Sequence, residues 1–244
     1  MKYTVLHYLY SEAAAAQQWE SRLLGISLDL PSTRLDHTTP FKPPLGSAMA
    51  DADGPRSFLW QAPNSNAALF TGQKWTELHA LVSNLLDFQH KTQSLPSFFT
   101  NKLVSKKYPS WLEHALKLAR ARGYWMLYPN AVTARHVATV HSELYRAPEE
   151  YETEFAKESP GNTEFPIDGA TLLENLPGGG KLLGFDEMPL LRWDGQATPL
   201  MGLDEAASGY VKEFRQAVGG CQALTPDDLI PKASTKDLFC MKDE

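Results

Sequence analysis

The 244-residue chain has only two cysteines, Cys221 and Cys240, both late in the sequence. Two are too few for a disulfide scaffold, and with no CxxC spacing they make no zinc site. One late bridge and two free thiols fit this count equally well. Long apolar runs are also missing. No stretch approaches the ~18 to 20 apolar residues of a membrane span. Met1 to Leu9 mixes Lys2, Tyr3, His7 and Tyr8 into its apolar residues, which does not read as a signal peptide. Positive charge is scarce: 23 Lys and Arg stand against 29 Asp and Glu, a net charge of -6. The basic residues are dispersed, so neither a nucleic-acid footprint nor a polybasic membrane anchor is expected. The composition is that of a soluble chain.

Familiar catalytic signatures are absent too. There is no GxSxG elbow, no Cys/His nucleophile context and no dinucleotide-binding glycine fingerprint. Gly178-Gly179-Gly180-Lys181 lacks phosphate-loop spacing and is followed by Leu182 instead of a hydroxyl residue, so it reads as a flexible turn. The seven histidines form no HxxxH or HxH pair. His136 and His141, five apart, fall on opposite faces of a regular strand. His141, followed by Ser142-Glu143, is a candidate for a single metal or phosphate contact, against a satisfied or exposed histidine. Asp51-Ala52-Asp53 sits in a Pro/Gly/Ser loop and is discounted as a metal site.

What is present is an ordinary globular composition, 43% hydrophobic and 11% aromatic, in a chain long enough to bury a core. Ser11 reads as the N-cap of a helix that Gly25 ends. "GISLDL" reads as a strand closed by Pro31, and residues 31 to 56 as a long, partly mobile loop. "QKWTELHALVSNLLDFQH" places Trp75, Leu78, Leu81, Val82, Leu85 and Leu86 on one helical stripe. Ser110 and Glu113 have capping-box spacing ahead of a helix whose buried face is Trp111, Leu112, Ala115, Leu116 and Ala119, with Gly123 at its end. "YWMLYPN" and "HVATVHSEL" read as strands. A last helix is predicted from an N-cap at Asp204 to Gly219, with a loosely held tail after Cys221. Alternating helices and strands indicate an α/β protein.

"FLWQAPNSNAALF", residues Phe58 to Phe70, sets four turn-forming residues between two apolar segments. One reading is a polar turn between buried strands. The other is a loop whose amides and hydroxyl face a ligand. Glu77 is read as lying in the first turn of the following helix, where the dipole favours an acid, or as a general base at a cleft mouth.

Several stretches together resemble the C-terminal region of fungal glycosyltransferase family 2-like proteins. They are "GISLDLPS", "FLWQAPNSNAALF", "QKWTELH", "KLVSKKYPSWLEHALKLARARGYWMLYPN", "TVHSELYRAPEEY", "FDEMPLLRWDG" and "GLDEAASGYVKEFRQAVGGC". Their shared order spans nearly the whole chain. The resemblance implies a partial GT-A-like layered fold with a short mixed sheet and helices. Residues 1–150 would be the acceptor-side part of the catalytic domain. Residues 151–244 would be a loop-rich, acidic extension with one helix, packed on the same domain. It implies a nucleotide-sugar donor, a glycan or other acceptor, and Mn or Mg neutralising charge on the departing diphosphate. The chain begins about where the donor half of such an enzyme ends. A truncated, inactive form is therefore expected, with a non-catalytic sugar- or partner-binding remnant as the alternative. Full-length relatives are expected at secretory-pathway membranes. On this reading Gln61, Asn64, Ser65 and Asn66 face the sugars and Trp75 or Trp60 offers a ring to stack on. With Glu77, and His141 near the rim, they would line one concave surface.

Overall fold

The apolar runs between residues 23 and 128 become strands because their side chains alternate between two buried layers. In the computed structural model, residues 21–36, 38–44, 57–64, 68–88, 109–129, 184–221 and 235–240 are described. The strands are β1 (Leu23–Ser27), β2 (Phe58–Trp60), β3 (Ala68–Phe70), β4 (Trp125–Tyr128) and β5 (Leu190–Leu191). The helices are α1 (Gly72–Phe88), α2 (Trp111–Arg122) and α3 (Leu200–Ala217), with short 3-10 turns at Phe185–Glu187 and Thr235–Leu238. This is an α/β arrangement around a small mixed sheet of order β3-β1-β4-β2-β5. β1 runs parallel to β4 and antiparallel to β3, while β2 runs antiparallel to β4 and parallel to β5.

Phe58, Trp60, Met126 and Tyr128 pack with Leu78 and Leu81 of α1, Ala115 and Leu118 of α2, and Tyr210 and Phe214 of α3. The alternate residues Leu59, Trp125 and Leu127 pack with Phe185, Met188, Leu190 and Leu203 on the other face. This is the two-residue period of a strand covered on both sides. A register shift between Leu23 and Gly25 interrupts it in β1. Leu24 therefore joins the helix-side core, whereas Leu23 and Ile26 both join the other.

Gly25 lies inside β1 and does not terminate a helix. A Cβ there would collide with the Leu69 carbonyl of β3, so glycine lets the two strands approach. The predicted strand accordingly starts two residues early and stops at Ser27. Residues 31–44, expected to be loose, are folded where described. Thr33 bridges Pro40, Asp36 accepts from the Thr38 and Thr39 amides, and Phe41 stacks on Trp60 at 4.4 Å.

On α1 the stripe holds at Leu78 and Leu81, but Trp75 and Leu86 are exposed. The capping box of α2 is present, with Ser110 accepting from Glu113 N and Glu113 accepting from Ser110 N, and Gly123 ends the helix at φ 65°. The predicted buried face of α2 holds at Ala115, Leu116 and Ala119, but Trp111 is exposed and Leu112 half-buried, and Leu118 and Ala121 are buried as well. α2 lies between α1 and α3, so two of its faces are covered where a single stripe was predicted. α3 begins at Leu200 and is preceded by Pro199, not capped by Asp204, which pairs with Arg22. The region after residue 150 adds β5 to the sheet. Residues 235–240 are docked, not loose: Leu238 is fully buried and Cys221 is disulfide-bonded to Cys240. The predicted helix after Ser11 lies outside the described residues up to Glu20, and its predicted last residues are instead a turn at Ser21–Arg22 and the start of β1. The "HVATVHSEL" strand and the Gly178–Lys181 turn lie outside the described residues.

Candidate functional site

The segment after β2 explains the polar stretch between Phe58 and Phe70. β2 and β3 are not neighbours, because β4 and β1 stand between them. The chain must therefore cross the sheet, and its polar groups need partners on the way. Gln61 Nε2 donates to the Ala119 carbonyl of α2 at 3.1 Å, and its Oε1 accepts from Trp193 N at 3.3 Å. Tyr128 OH donates to the Ala62 carbonyl at 2.7 Å. Asn64 is buried, and its Nδ2 donates to Ser27 Oγ at 2.8 Å and to the Asp29 carbonyl. These bonds carry the crossover from the β2 end, over β4, to the far end of β1.

Trp75 lies elsewhere. Thr71 N bonds the Leu24 carbonyl near the start of β1, and α1 follows at once. Asn64 is held three residues further along the same strand, about 10 Å away at strand rise. The bonds of Gln61 and Asn64 run to Ala119, Trp193, Ser27 and Asp29, and those of Glu77 to Arg122 and Tyr124. Ser65, Asn66 and His141 lie outside the described residues.

Glu77 sits in the second turn of α1, one turn beyond the reach of the dipole argument. Its Oε1 accepts from Arg122 Nε at 2.8 Å and its Oε2 from Tyr124 OH at 2.7 Å. The other two Arg122 nitrogens form a fork with the Asp237 carboxylate at 2.8 and 2.7 Å. Arg122 is almost fully buried. Burial opposes its charge, but the bonds and charges of Asp237 and Glu77 outweigh that and hold it above its ordinary range. Burial and the neighbouring Glu77 carboxylate push the Tyr124 phenol up. Lys74 Nζ stands 3.9 Å over the Tyr124 ring, and burial lowers its ammonium pKa while Glu77 partly restores it. The network ties α1, α2 and the 3-10 turn at Thr235–Leu238 into one brace.

Beside this brace lies an uncovered aromatic surface. Phe70 ends β3, Trp75 is in the first turn of α1 and Trp111 opens α2. Their ring centroids are 5.4 Å (Phe70 to Trp75), 5.8 Å (Phe70 to Trp111) and 5.9 Å (Trp75 to Trp111). Trp75 is 47% exposed and Trp111 42%. Helical periodicity missed this surface because it assigns an apolar residue at a stripe position to the core. The resemblance pointed to Trp75 as a stacking ring but not to Trp111, and both tryptophans stand near helix starts.

An open hollow along α3 is lined by Gly209, Lys212, Glu213, Gln216 and Ala217, and none of the predicted site residues borders it. Mn or Mg would need several oxygen ligands converging. Among the described residues no group of three or more His, Cys, Asp or Glu side chains is so placed. No helix among them is long and apolar enough to cross a membrane. Compared with known protein families, with curated proteins and with solved structures, the chain finds no match.

Proposed function

We propose that the chain belongs to glycosyl transfer as an acceptor-side, glycan-binding unit, with Phe70, Trp75 and Trp111 as the surface that receives a sugar ring. The observation that carries this reading is the pair of neighbouring, solvent-exposed tryptophans at two helix starts. A pyranose has one face of C–H groups and a rim of hydroxyls. An indole plane suits the former, and angled rings on either side restrict how the sugar lies. The ordered resemblance to glycosyltransferase family 2-like proteins supplies the reaction class: transfer from a nucleotide-sugar, with Mn or Mg at the donor diphosphate. The disulfide between Cys221 and Cys240 suits an oxidising, secretory compartment, where glycan acceptors are made.

A second reading, a non-catalytic sugar- or partner-binding protein, is favoured by one specific observation. Gln61 and Glu77 spend both side-chain polar atoms on internal bonds, and Asn64 its Nδ2. Two assays separate the readings. Saturation-transfer NMR with neutral oligosaccharides should show transfer to ring C–H protons on either reading if the aromatic surface binds sugar. Release of nucleoside diphosphate from a nucleotide-sugar, with Mn or Mg and the bound oligosaccharide present, would support transfer. Binding without release supports the second reading, and no binding overturns the proposed surface.

A further inference from the structure

Residues 235–240 cross three helices and touch each one differently. Thr235 Oγ1 accepts from Asn84 Nδ2 of α1, and Phe239 packs on Phe88 of the same helix at 5.7 Å. Asp237 forks onto Arg122 of α2. Phe239 also meets Phe214 of α3, and Arg215 of α3 donates to the Asp237 carbonyl and to Cys240 Sγ. Leu238 is fully buried, and a Cβ on Gly219 would collide with its carbonyl, so the segment lies close against the chain leaving α3. Cys240 N bonds the Gly219 carbonyl at 2.8 Å, and the Cys221–Cys240 disulfide closes the loop across 19 positions.

We propose that this segment is a redox-latched strap: the disulfide holds Asp237 in place, and its reduction frees the strap while the sheet stays folded. Two observations set the division. The strap contacts α1, α2 and α3 but takes no place in the sheet, whose five strands pair without it. The latch joins a buried cysteine to an exposed one, so Cys240 is open to a reductant in the folded protein. A dithiol reductant supplies two electrons and two hydrogens. The S–S bond breaks, Cys221 and Cys240 each become a thiol, and the dithiol closes to its own disulfide. Once the bond is broken, Cys240 is no longer tied to Cys221 beyond α3 and the Asp237–Arg122 fork must be kept by the segment's own contacts. Arg122 then retains only Glu77 of its two carboxylate partners shown here. The device is independent of the glycan-binding proposal.

Hydrogen exchange on the whole chain, oxidised and after dithiol treatment, tests it, with thiol titration confirming complete reduction. The Cys240 amide and its neighbours should lose protection on the order of 100-fold, the factor a closed loop of this length is worth. β1 and β4 amides should lose clearly less, because they open only with the whole fold. The Cys221→Ser/Cys240→Ser variant should reproduce the reduced pattern with no reductant present. Unchanged strap protection would overturn the proposal, because the contacts alone would then hold the segment. Loss of β1 and β4 protection by the same factor as the strap would overturn it as well, because strap and sheet would then open as one unit.

Discussion

Asn64 is 6% exposed, and its amide is satisfied by Ser27 and Asp29 across the sheet. Removing it takes away the donor to the buried Ser27 Oγ, so Asn64→Ala should lower unfolding free energy by about 1 to 3 kcal/mol in a urea titration. An unchanged midpoint would show that the crossover does not need this amide. His114 makes a second prediction at the same scale. Its Nδ1 is buried with no hydrogen-bond partner among the described residues. Burial first, and then the charge of Lys117, lower its pKa from 6.5 to about 4. The folded state therefore favours the neutral ring, and the unfolded chain takes up a proton first as pH falls. The stability that His114 contributes is complete above pH 6.5 and is lost as pH falls toward about 4. Chemical denaturation across that window should show the decline in the native protein and a shallower one in His114→Gln; identical slopes would contradict the assignment.

The brace between α1, α2 and the strap depends on a buried guanidinium with carboxylates on two sides. Asp237→Ala removes the forked partner and leaves Arg122 undercompensated. A loss of about 3 kcal/mol or more is expected by thermal or urea unfolding, the range for breaking a buried pair from one side. A loss below about 1 kcal/mol would mean that water replaces Asp237. Elements whose signals are local were legible in the sequence. Ser110, Glu113 and Gly123 mark the ends of α2 without reference to anything else. Elements set by distant partners were not. Gly25 looks like a helix stop until β3 is seen against it, and Asp204 looks like an N-cap until α3 is seen to start at Leu200. Trp75 and Leu86 fit the apolar period of α1, yet both stay exposed. The polar stretch after β2 was legible as special but not as a crossover, because strand order is absent from local pattern. Arg122 and Asp237 were missed because an ion pair 115 positions apart leaves no spacing to read.

At the scale of the molecule, the helix-side core buries three phenols. Burial is the first cause raising Tyr124, Tyr128 and Tyr210 above the ordinary 10.0. Above pH 10 the unfolded phenols ionise while the native ones keep their protons, so the native state binds more protons and stability falls as pH rises. Each phenol should contribute about 1.4 kcal/mol per pH unit to that decline. A flat stability curve above about pH 10 would contradict the buried placement of all three. Two of the predicted site's parts differ in burial. The crossover at Gln61 and Asn64 is internal structure, and the aromatic surface at the starts of α1 and α2 is open to solvent. The most direct test is calorimetric titration of a neutral oligosaccharide, paired with unfolding curves, on the native chain, Trp75→Ala and Asn64→Ala. Trp75→Ala should weaken binding by about tenfold or more, as truncation of a central aromatic contact does, at a stability cost under about 1.5 kcal/mol. Asn64→Ala should lose stability and keep its affinity. Binding lost in Asn64→Ala but kept in Trp75→Ala would contradict the account.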